Sequence, residues 1–205
     1  MQKTAVIDYG MGNIDSVKRA IEECGGNVVV TDKSDVLEEV THIVLPGVGS
    51  FADGMKNIIA RDLFRSLHKQ VIMNKIPFLG ICLGMQLLAG NSLEDGNTKG
   101  FGWIEAEVIK LVSDNPDIKI PHMGWNEVVF QKPSVLSEGI PKGKDFYFVH
   151  SYHMLCRDKS DILATTDYCG NFVSAICKDN IFGVQFHPEK SQRYGMKLLA
   201  NFLSI

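Results

Sequence analysis

The chain has 205 residues, a size at which one α/β domain buries roughly 70% of the surface of its unfolded chain. Its 45% apolar and 22% charged residues are typical of a globular protein, and the net charge of −3 gives no sign of a nucleic-acid or anionic-membrane partner. The longest nearly apolar stretch, from Pro77 to Gly90, is interrupted by glycines and too short to span a bilayer.

The first 90 residues predict strands that alternate with helices. Apolar runs indicate strands over residues 4–8, 28–30, 42–45 and 76–81. Helices are predicted from an Asn13 cap to Cys24, around 36–39, over 55–73, and from the end of the fourth strand through Leu88. Strands alternating with helices indicate a mostly parallel sheet with helices on both faces.

After Gly100 the pattern becomes rich in strands. They are predicted over residues 107–111, 127–130, 146–149, 162–166, 173–177 and 182–186, before a final helix over 191–203. We expect these strands to extend the sheet and to add an antiparallel layer in the C-terminal half. No linker separates the two halves, so we expect a single domain over residues 1–205.

The cysteines indicate the redox environment. Their number is odd and none forms a Cys-x-x-Cys pair: Cys24, Cys82, Cys156, Cys169 and Cys177. The N-terminus enters a strand after Lys3 alone, which is not the pattern of a signal peptide. We therefore expect a reducing, cytoplasmic location without a disulfide framework.

Residues 80–84, Gly-Ile-Cys-Leu-Gly, have the spacing of a nucleophile elbow with cysteine in place of serine. Glycines flank the nucleophile because a Cβ there would clash where the chain turns from strand into helix. The turn would aim the Cys82 sulfur at the helix N-terminus, which stabilises a thiolate. A buried cysteine after an ordinary strand-to-helix turn has the same local pattern.

A thiolate nucleophile needs a base, and the base needs a group that orients it. His187 and Glu189 are two residues apart in an extended segment, so their side chains project to the same side. Pro188 biases His187 towards extended geometry. A carboxylate on one imidazole nitrogen leaves the other free to exchange a proton with sulfur. The alternatives are a capped loop histidine or a metal ligand, and no second His or Cys nearby has metal-ligand spacing.

Residues 46–50, Pro-Gly-Val-Gly-Ser, follow the third predicted strand. The carboxyl ends of parallel strands meet at one edge, so this segment is expected beside Cys82. One backbone donor from Leu83 and one from the Gly47–Val48 peptide can then face an oxyanion, each contributing around 3 kcal/mol. A phosphate-binding turn is the alternative, but neither a Walker lysine nor a glycine-rich fingerprint after the first strand is present.

Residues 80–86, with His187-Pro188-Glu189, resemble the triad-type (class I) glutamine amidotransferases. Three further segments resemble the glutaminase subunits of imidazole glycerol phosphate synthases of histidine biosynthesis: residues 8–13 (DYGMGN), 121–126 (PHMGWN) and 147–152 (YFVHSY). The resemblance runs from end to end and implies the flavodoxin-like fold of the class I family.

The resemblance implies that Cys82 attacks the side-chain amide of glutamine to form a γ-glutamyl thioester. His187 would protonate the leaving ammonia and then activate water, while Glu189 orients His187. The backbone of three residues would hold the oxyanion: Gly47, Val48 and Leu83. No cofactor and no metal are implied.

The substrate glutamine would be held largely through backbone groups of four residues: Gly49, Gln86, Ser151 and Tyr152. Glu94 matches the position that faces the α-ammonium group. From the residues alone, Gln86 could equally lie on a helix surface, and Glu94 lies in a polar stretch over residues 91–99.

The resemblance also implies a partner, a (β/α)8-barrel cyclase subunit docked over the glutaminase site. Ammonia would pass through the barrel to a phosphorylated ribulosyl-formimino nucleotide, giving imidazole glycerol phosphate and an aminoimidazole carboxamide ribotide. Trp125, Tyr147 and Lys190 match interface positions, with Lys190 pairing a carboxylate of the barrel. From the residues alone, the two aromatics would more often be core residues and the lysine a solvated charge. The family also implies a gate: without the partner, the Gly47–Val48 carbonyl would occupy the oxyanion site.

Three alternatives stay open from the sequence. The same glutaminase chemistry can feed a cyclase-like partner that amidates a bacterial surface sugar. A non-catalytic binding subunit would tolerate loss of Cys82, His187 or Glu189, all of which are present. A stand-alone thiol hydrolase would give no reason for the segments around Trp125 and Tyr147.

Overall fold

The computed structural model describes residues 2–205 and contains, over that range, thirteen strands and five α-helices. The strands are β1 (Thr4–Ile7), β2 (Val28–Thr31), β3 (His42–Gly47), β4 (Phe78–Cys82), β5 (Asn91–Ser92), β6 (Thr98–Lys99), β7 (Ala106–Lys110), β8 (His122–Phe130), β9 (Lys144–His150), β10 (Tyr152–Cys156), β11 (Ile162–Asp167), β12 (Asn171–Lys178) and β13 (Ile181–Val184). The α-helices are α1 (Ile14–Glu23), α2 (Phe51–Ala60), α3 (Leu63–His68), α4 (Leu83–Gln86) and α5 (Gln192–Leu203). Short 3-10 helices lie at Asp35–Glu39, Val135–Ser137, Lys159–Asp161 and Pro188–Lys190, and a π-helical turn lies at Lys69–Met73.

Five parallel strands form one half of the sheet, in the order β2-β1-β3-β4-β13. This is the strand order of flavodoxin-like α/β folds. Parallel neighbours need long crossover connections, which here carry the helices. The carboxyl ends of all five strands consequently lie at the same edge of the sheet, and ligands of such folds bind there.

Antiparallel strands extend the sheet beyond β13, as expected for the C-terminal half. β12 pairs with β13, β10 pairs with both β12 and β7, and β11 joins β12 to β8. β8 and β9 form a long antiparallel pair that reaches the edge where the parallel strands end. The predicted fold class, a parallel α/β sheet with an added antiparallel layer, is confirmed.

Successive side chains of the parallel strands point alternately to the two faces of the sheet, and helices cover both faces. Ile43 and Leu45 of β3 belong to a buried apolar cluster that includes side chains of α2 and α3. Val44, between them, belongs to a second cluster that includes side chains of α1 and α5. Because successive strand residues point to opposite faces, each strand needs a helical layer on either side.

The predicted helix over residues 55–73 is wrong as a single element. It begins earlier, at Phe51, where the Ser50 side chain accepts a capping hydrogen bond from the Asp53 amide. Asp62 then adopts left-handed backbone geometry, with φ of 55°, and ends the helix before α3 begins. A π-helical turn replaces the last predicted stretch.

Smaller corrections concern helix ends and short strands. Asn13 stands at the N-cap of α1, but its side chain makes no capping hydrogen bond. The helix after the elbow ends at Gln86 rather than Leu88, and the residues around 36–39 form a 3-10 helix. β5, β6 and β10 were not predicted. None of the helices in residues 2–205 has both the length and the apolar character needed to cross a lipid bilayer.

Candidate active site

The turn between β4 and α4 has the strained geometry of a nucleophile elbow. Cys82 has φ of 54° and ψ of −110°, which places it outside the ordinary regions for a residue with a side chain. A Cβ on Gly84 would overlap the Leu45 carbonyl oxygen, and one on Gly80 would come within 2.5 Å of the Gly84 carbonyl oxygen. Both glycines are therefore required for the close approach of β3, β4 and α4. The predicted elbow is present.

His187 and Glu189 form a buried pair. The Nδ1 atom of His187 lies 2.8 Å from Oε1 of Glu189, and the two side chains are 2% and 1% exposed. Burial by itself lowers the pKa of His187, but the Cys82 sulfur and the Glu189 carboxylate favour the imidazolium and raise it to about 10. Nε2 of His187 is buried without a hydrogen-bond partner among residues 2–205, so it is available for proton exchange.

A cavity of about 270 Å³ opens at the elbow. Its lining includes three of the six residues predicted for the triad and oxyanion site, namely Val48, Cys82 and Leu83. All five residues predicted to bind the substrate also line it: Gly49, Gln86, Glu94, Ser151 and Tyr152. The remaining lining residues are Val149 and His150. The Cys82 sulfur is thus at the wall of a cavity of suitable size for a small polar ligand.

Two strand pairings bring these residues together. Gly47 of β3 is the register partner of Cys82 of β4, which places the Gly47–Val48 peptide beside Cys82. On the other side of β4, Gly183 of β13 pairs with Gly80, so the chain reaches His187 four residues later at the same edge. Gly47, His187 and Glu189 are not among the residues that line the cavity.

Glu94 reaches the cavity from the loop that follows β5. Its Oε2 atom accepts a 2.7 Å hydrogen bond from the Phe51 amide at the start of α2. Partial burial raises the pKa of Glu94, while that hydrogen bond opposes the rise. The first amide of α2 therefore holds the Glu94 carboxylate at the cavity, although the polar sequence around Glu94 has no clear secondary-structure pattern.

Tyr9 lies beneath the strand that ends at Gly47. It is fully buried, and its hydroxyl has no hydrogen-bond partner among the described residues 2–205. A Cβ on Gly47 would overlap that hydroxyl, so this position also requires glycine. Burial, and then the proximity of the Cys82 charge, raise the pKa of Tyr9.

His150, which lines the cavity, forms a pair with His122, and neither was assigned a role from the sequence. Nδ1 of His150 lies 2.8 Å from the Tyr152 carbonyl oxygen, which can only accept, so Nδ1 carries the proton. His150 Nε2 must then accept from Nδ1 of His122 at 3.0 Å. Burial lowers the pKa of His122 to about 4 and, as the main cause, that of His150 to about 3. Both rings are therefore neutral at pH 7, and each has a defined tautomer.

The residues predicted for a partner interface lie together on the surface near His187. Trp125 and Tyr147 are register partners on β8 and β9, with ring centroids 6.1 Å apart, and Trp125 is 47% exposed. The Lys190 ammonium lies 5.6 Å from the centroid of the Tyr147 ring. The Tyr147 carbonyl accepts a 2.8 Å hydrogen bond from the His187 amide. One backbone hydrogen bond therefore joins this surface to His187.

Within the range 2–205, no group of three or more His, Cys, Asp or Glu side chains is arranged to hold a metal ion. All five cysteines are free thiols.

Known proteins resemble this chain over almost its full length. The family model described as glutamine amidotransferase class-I matches residues 5–205. Imidazole glycerol phosphate synthase subunit HisH 2 of Methanococcus maripaludis is 50% identical, over 97% of this chain and 98% of that protein. The HisH subunit of Aquifex aeolicus is 48% identical, over 98% of this chain and 95% of that protein.

Solved structures agree on the fold. The structure of PurLQS from Thermotoga maritima has a TM-score of 0.76 at 19% identity, covering 99% of this chain and 98% of that one. A crystal structure of a glutamine amidotransferase has the same TM-score at 16% identity, covering 98% and 99% of the two chains. The family match, together with the two close relatives, shows that this chain belongs to the class-I glutamine amidotransferases and, within them, to the HisH subunits of imidazole glycerol phosphate synthase.

Proposed function

We propose that this chain hydrolyses glutamine to glutamate and ammonia with Cys82, His187 and Glu189 as its triad. The observation that carries the proposal is the buried 2.8 Å contact between His187 and Glu189, next to a cavity with the Cys82 sulfur in its wall. A cysteine, a base and a group that orients the base are the parts that nucleophilic acyl transfer requires. Family membership supplies the substrate, the side-chain amide of glutamine.

The reaction has two halves. The Cys82 thiolate attacks the amide carbon, and the imidazolium of His187 gives its proton to the departing nitrogen, which leaves as ammonia. Cys82 is then a γ-glutamyl thioester and His187 is neutral. His187 next takes a proton from water, which attacks the thioester and releases glutamate. Glu189 holds the ring in the tautomer that keeps Nε2 available and stabilises the imidazolium.

Backbone groups would hold the oxyanion formed in each half. The proposed donors belong to the Gly47–Val48 peptide and to Leu83, and two of these residues, Val48 and Leu83, line the cavity. Oxyanion donors of this kind contribute around 3 kcal/mol each to transition-state stabilisation. The strand pairing of Gly47 with Cys82 supports this assignment.

The cavity wall supports recognition of the amino-acid end of glutamine. Glu94 offers a carboxylate to the α-ammonium group. Gln86 uses its amide nitrogen on the Tyr152 carbonyl and on Gln185, so its Oε1 atom has no partner among residues 2–205 and is left for the substrate. Gly49, Ser151 and Tyr152 complete the wall with backbone groups.

The ammonia produced would go to a second subunit. The relatives are named as subunits of imidazole glycerol phosphate synthase, and we propose that this chain pairs with a (β/α)8-barrel cyclase in histidine biosynthesis. Trp125, Tyr147 and Lys190 would form part of that interface. The relatives support this acceptor, and nothing in the comparisons favours a surface sugar.

Two further proposals concern the whole chain. We propose that residues 1–205 form a single amidotransferase domain, which the family match over residues 5–205 supports. We also propose a cytoplasmic location, which the five free thiols and the biosynthetic relatives support.

The test uses the chain reconstituted with its co-encoded cyclase subunit. Cys82→Ser should abolish turnover driven by glutamine while turnover driven by added ammonium salt persists, because the acceptor site lies on the other subunit. Cys24→Ser is the matched control and should retain both activities. Glutamine-driven turnover that survives in Cys82→Ser would reject the proposed nucleophile.

A further inference from the structure

The Cys82 sulfur has two polar neighbours apart from His187. The Val149 carbonyl oxygen lies 3.9 Å away, in a position to accept from the thiol, and Nε2 of Gln185 lies 3.6 Å away. A thiolate has no proton to donate, so it gains nothing from the carbonyl. Gln185 would stabilise the thiolate only if its nitrogen, and not its oxygen, faces the sulfur.

The Tyr152 carbonyl fixes the orientation of that amide. A carbonyl can only accept, so the Gln86 atom that lies 2.9 Å from it must be Nε2. The same Nε2 lies 3.0 Å from Gln185, whose nearer atom must accept and is therefore Oε1. The opposite end of the Gln185 amide, its N–H group, consequently faces Sγ of Cys82.

Burial removes the alternative orientation. Gln185 is 0% exposed and Gln86 is 5% exposed, so neither amide can exchange these partners for bulk water. If the Gln185 amide were rotated by 180°, its nitrogen would face the nitrogen of Gln86 and its oxygen would face the Cys82 sulfur. Buried polar groups without a hydrogen-bond partner are costly in free energy. Gln185 is also held by its backbone, whose N–H donates to the Ser174 carbonyl at 2.9 Å.

We propose that Gln185 is a catalytic residue whose side-chain N–H donates a hydrogen bond to the Cys82 thiolate. The inference rests on the proposed role of Cys82 as the nucleophile. Three consecutive hydrogen bonds carry it: Gln86 to Tyr152, Gln86 to Gln185, and Gln185 to the sulfur. The donor favours the thiolate over the thiol and keeps the sulfur directed at the cavity. Hydrogen bonds to charged acceptors are roughly twice as strong as neutral ones.

The test measures the rate at which iodoacetamide alkylates Cys82 as a function of pH, in the full chain, by mass spectrometry of the peptide containing Cys82. Gln185→Met removes the donor at similar size. Gln185→Glu keeps an oxygen that accepts the hydrogen bond from Gln86, but it replaces the N–H group that faces the sulfur with a second oxygen. Gln131→Met, at an exposed glutamine that directly follows β8, is the matched control.

We expect the pH midpoint of alkylation to rise in both Gln185 variants, and more in Gln185→Glu, with the rate at neutral pH falling roughly tenfold or more. The control should keep the wild-type midpoint. An unchanged midpoint in folded Gln185→Met and Gln185→Glu would overturn the inference.

A wild-type measurement covers the case in which neither variant folds. The side-chain amide protons of Gln185 should shift in NMR spectra as Cys82 loses its proton, and they should not titrate in Cys82→Ser. Identical titrations in the two chains would also overturn the inference. Neither result would touch the proposed function, which fails separately if Cys82→Ser still consumes glutamine.

Discussion

Gly47, the last residue of β3, pairs in register with Cys82, the last residue of β4. The pairing sets a backbone peptide beside Cys82, the proposed nucleophile. It depends on glycine at several nearby positions, because β3, β4 and α4 approach one another more closely than a Cβ allows. The reactive geometry is therefore a property of the backbone packing as much as of the triad side chains.

Gly84→Ala should destabilise the chain by about 3 kcal/mol, because its methyl group would overlap the Leu45 carbonyl oxygen and neither backbone can move without disturbing the sheet. Urea unfolding followed by circular dichroism measures the change. Gly90→Ala is the control, since its Cβ would lie 3.4 Å from the nearest atom, the Ala106 carbonyl oxygen, and should cost less than about 1 kcal/mol. Equal stabilities of the two variants would refute the close-packing argument.

The His122–His150 pair should make the chain sensitive to acid. Both histidines titrate near 6.5 when unfolded, whereas burial lowers their folded pKa values to about 4 and about 3. Between pH 6.5 and 4 the unfolded chain therefore binds more protons, and stability falls as pH falls, by about 1.4 kcal/mol per pH unit for each histidine. Above pH 6.5 neither histidine contributes to the pH dependence.

His122→Gln tests this acid sensitivity, because the amide can still donate to His150 but does not titrate. Unfolding free energies measured between pH 4 and 6.5 should vary less steeply with pH in the variant, by about 1.4 kcal/mol per pH unit. Identical slopes for variant and wild type would show that His122 is not held neutral in the folded chain.

Glu94→Gln should raise KM for glutamine roughly tenfold or more while kcat changes little, because in the proposed site the carboxylate binds the α-ammonium group and takes no part in bond breaking. Steady-state assays with the cyclase subunit measure both constants. Glu105→Gln, at an exposed carboxylate that is not part of the cavity lining, is the control and should behave as wild type. A fall in kcat at unchanged KM would place Glu94 in the chemistry instead.

Trp125→Ala should raise the Kd for the cyclase subunit roughly tenfold or more, because we propose that this large exposed aromatic belongs to the interface, where such residues often carry much of the binding energy. Isothermal titration calorimetry measures the affinity directly. Val129→Ala is the matched control, because Val129 is also exposed on β8 but pairs towards β11, away from Tyr147 and Lys190. If both variants bind as tightly as wild type, the partner docks elsewhere.

Local patterns were enough to predict the elbow and the His187–Glu189 pair. The elbow is encoded by glycines on both sides of Cys82. The contact between His187 and Glu189 is present, but the extended segment expected to produce it is wrong, because Pro188–Lys190 form a 3-10 helix that begins directly after His187. The alternation of strands and helices likewise predicted the parallel half of the sheet, since each apolar run is continuous and short.

Features that depend on tertiary contacts could not be predicted in this way. The helix break at Asp62 depends on left-handed backbone geometry at that residue. The sequence around Asp62 has a helical pattern and gives no local reason for such a break. The histidine pair joins β8 to the end of β9, across 28 residues. The sequence does contain a pattern that indicates Gln185. It lies two residues before His187 in a segment predicted to be extended, so the two side chains are expected to project to the same side.

The most direct test of the central claim is to trap the acyl intermediate. The chain with its cyclase subunit is mixed with glutamine and quenched in acid during turnover, and its peptides are examined by mass spectrometry. We predict a γ-glutamyl adduct on Cys82 that disappears when glutamine is exhausted and never forms in Cys82→Ser. An adduct on any other residue, or steady glutamine consumption by Cys82→Ser, would contradict the account.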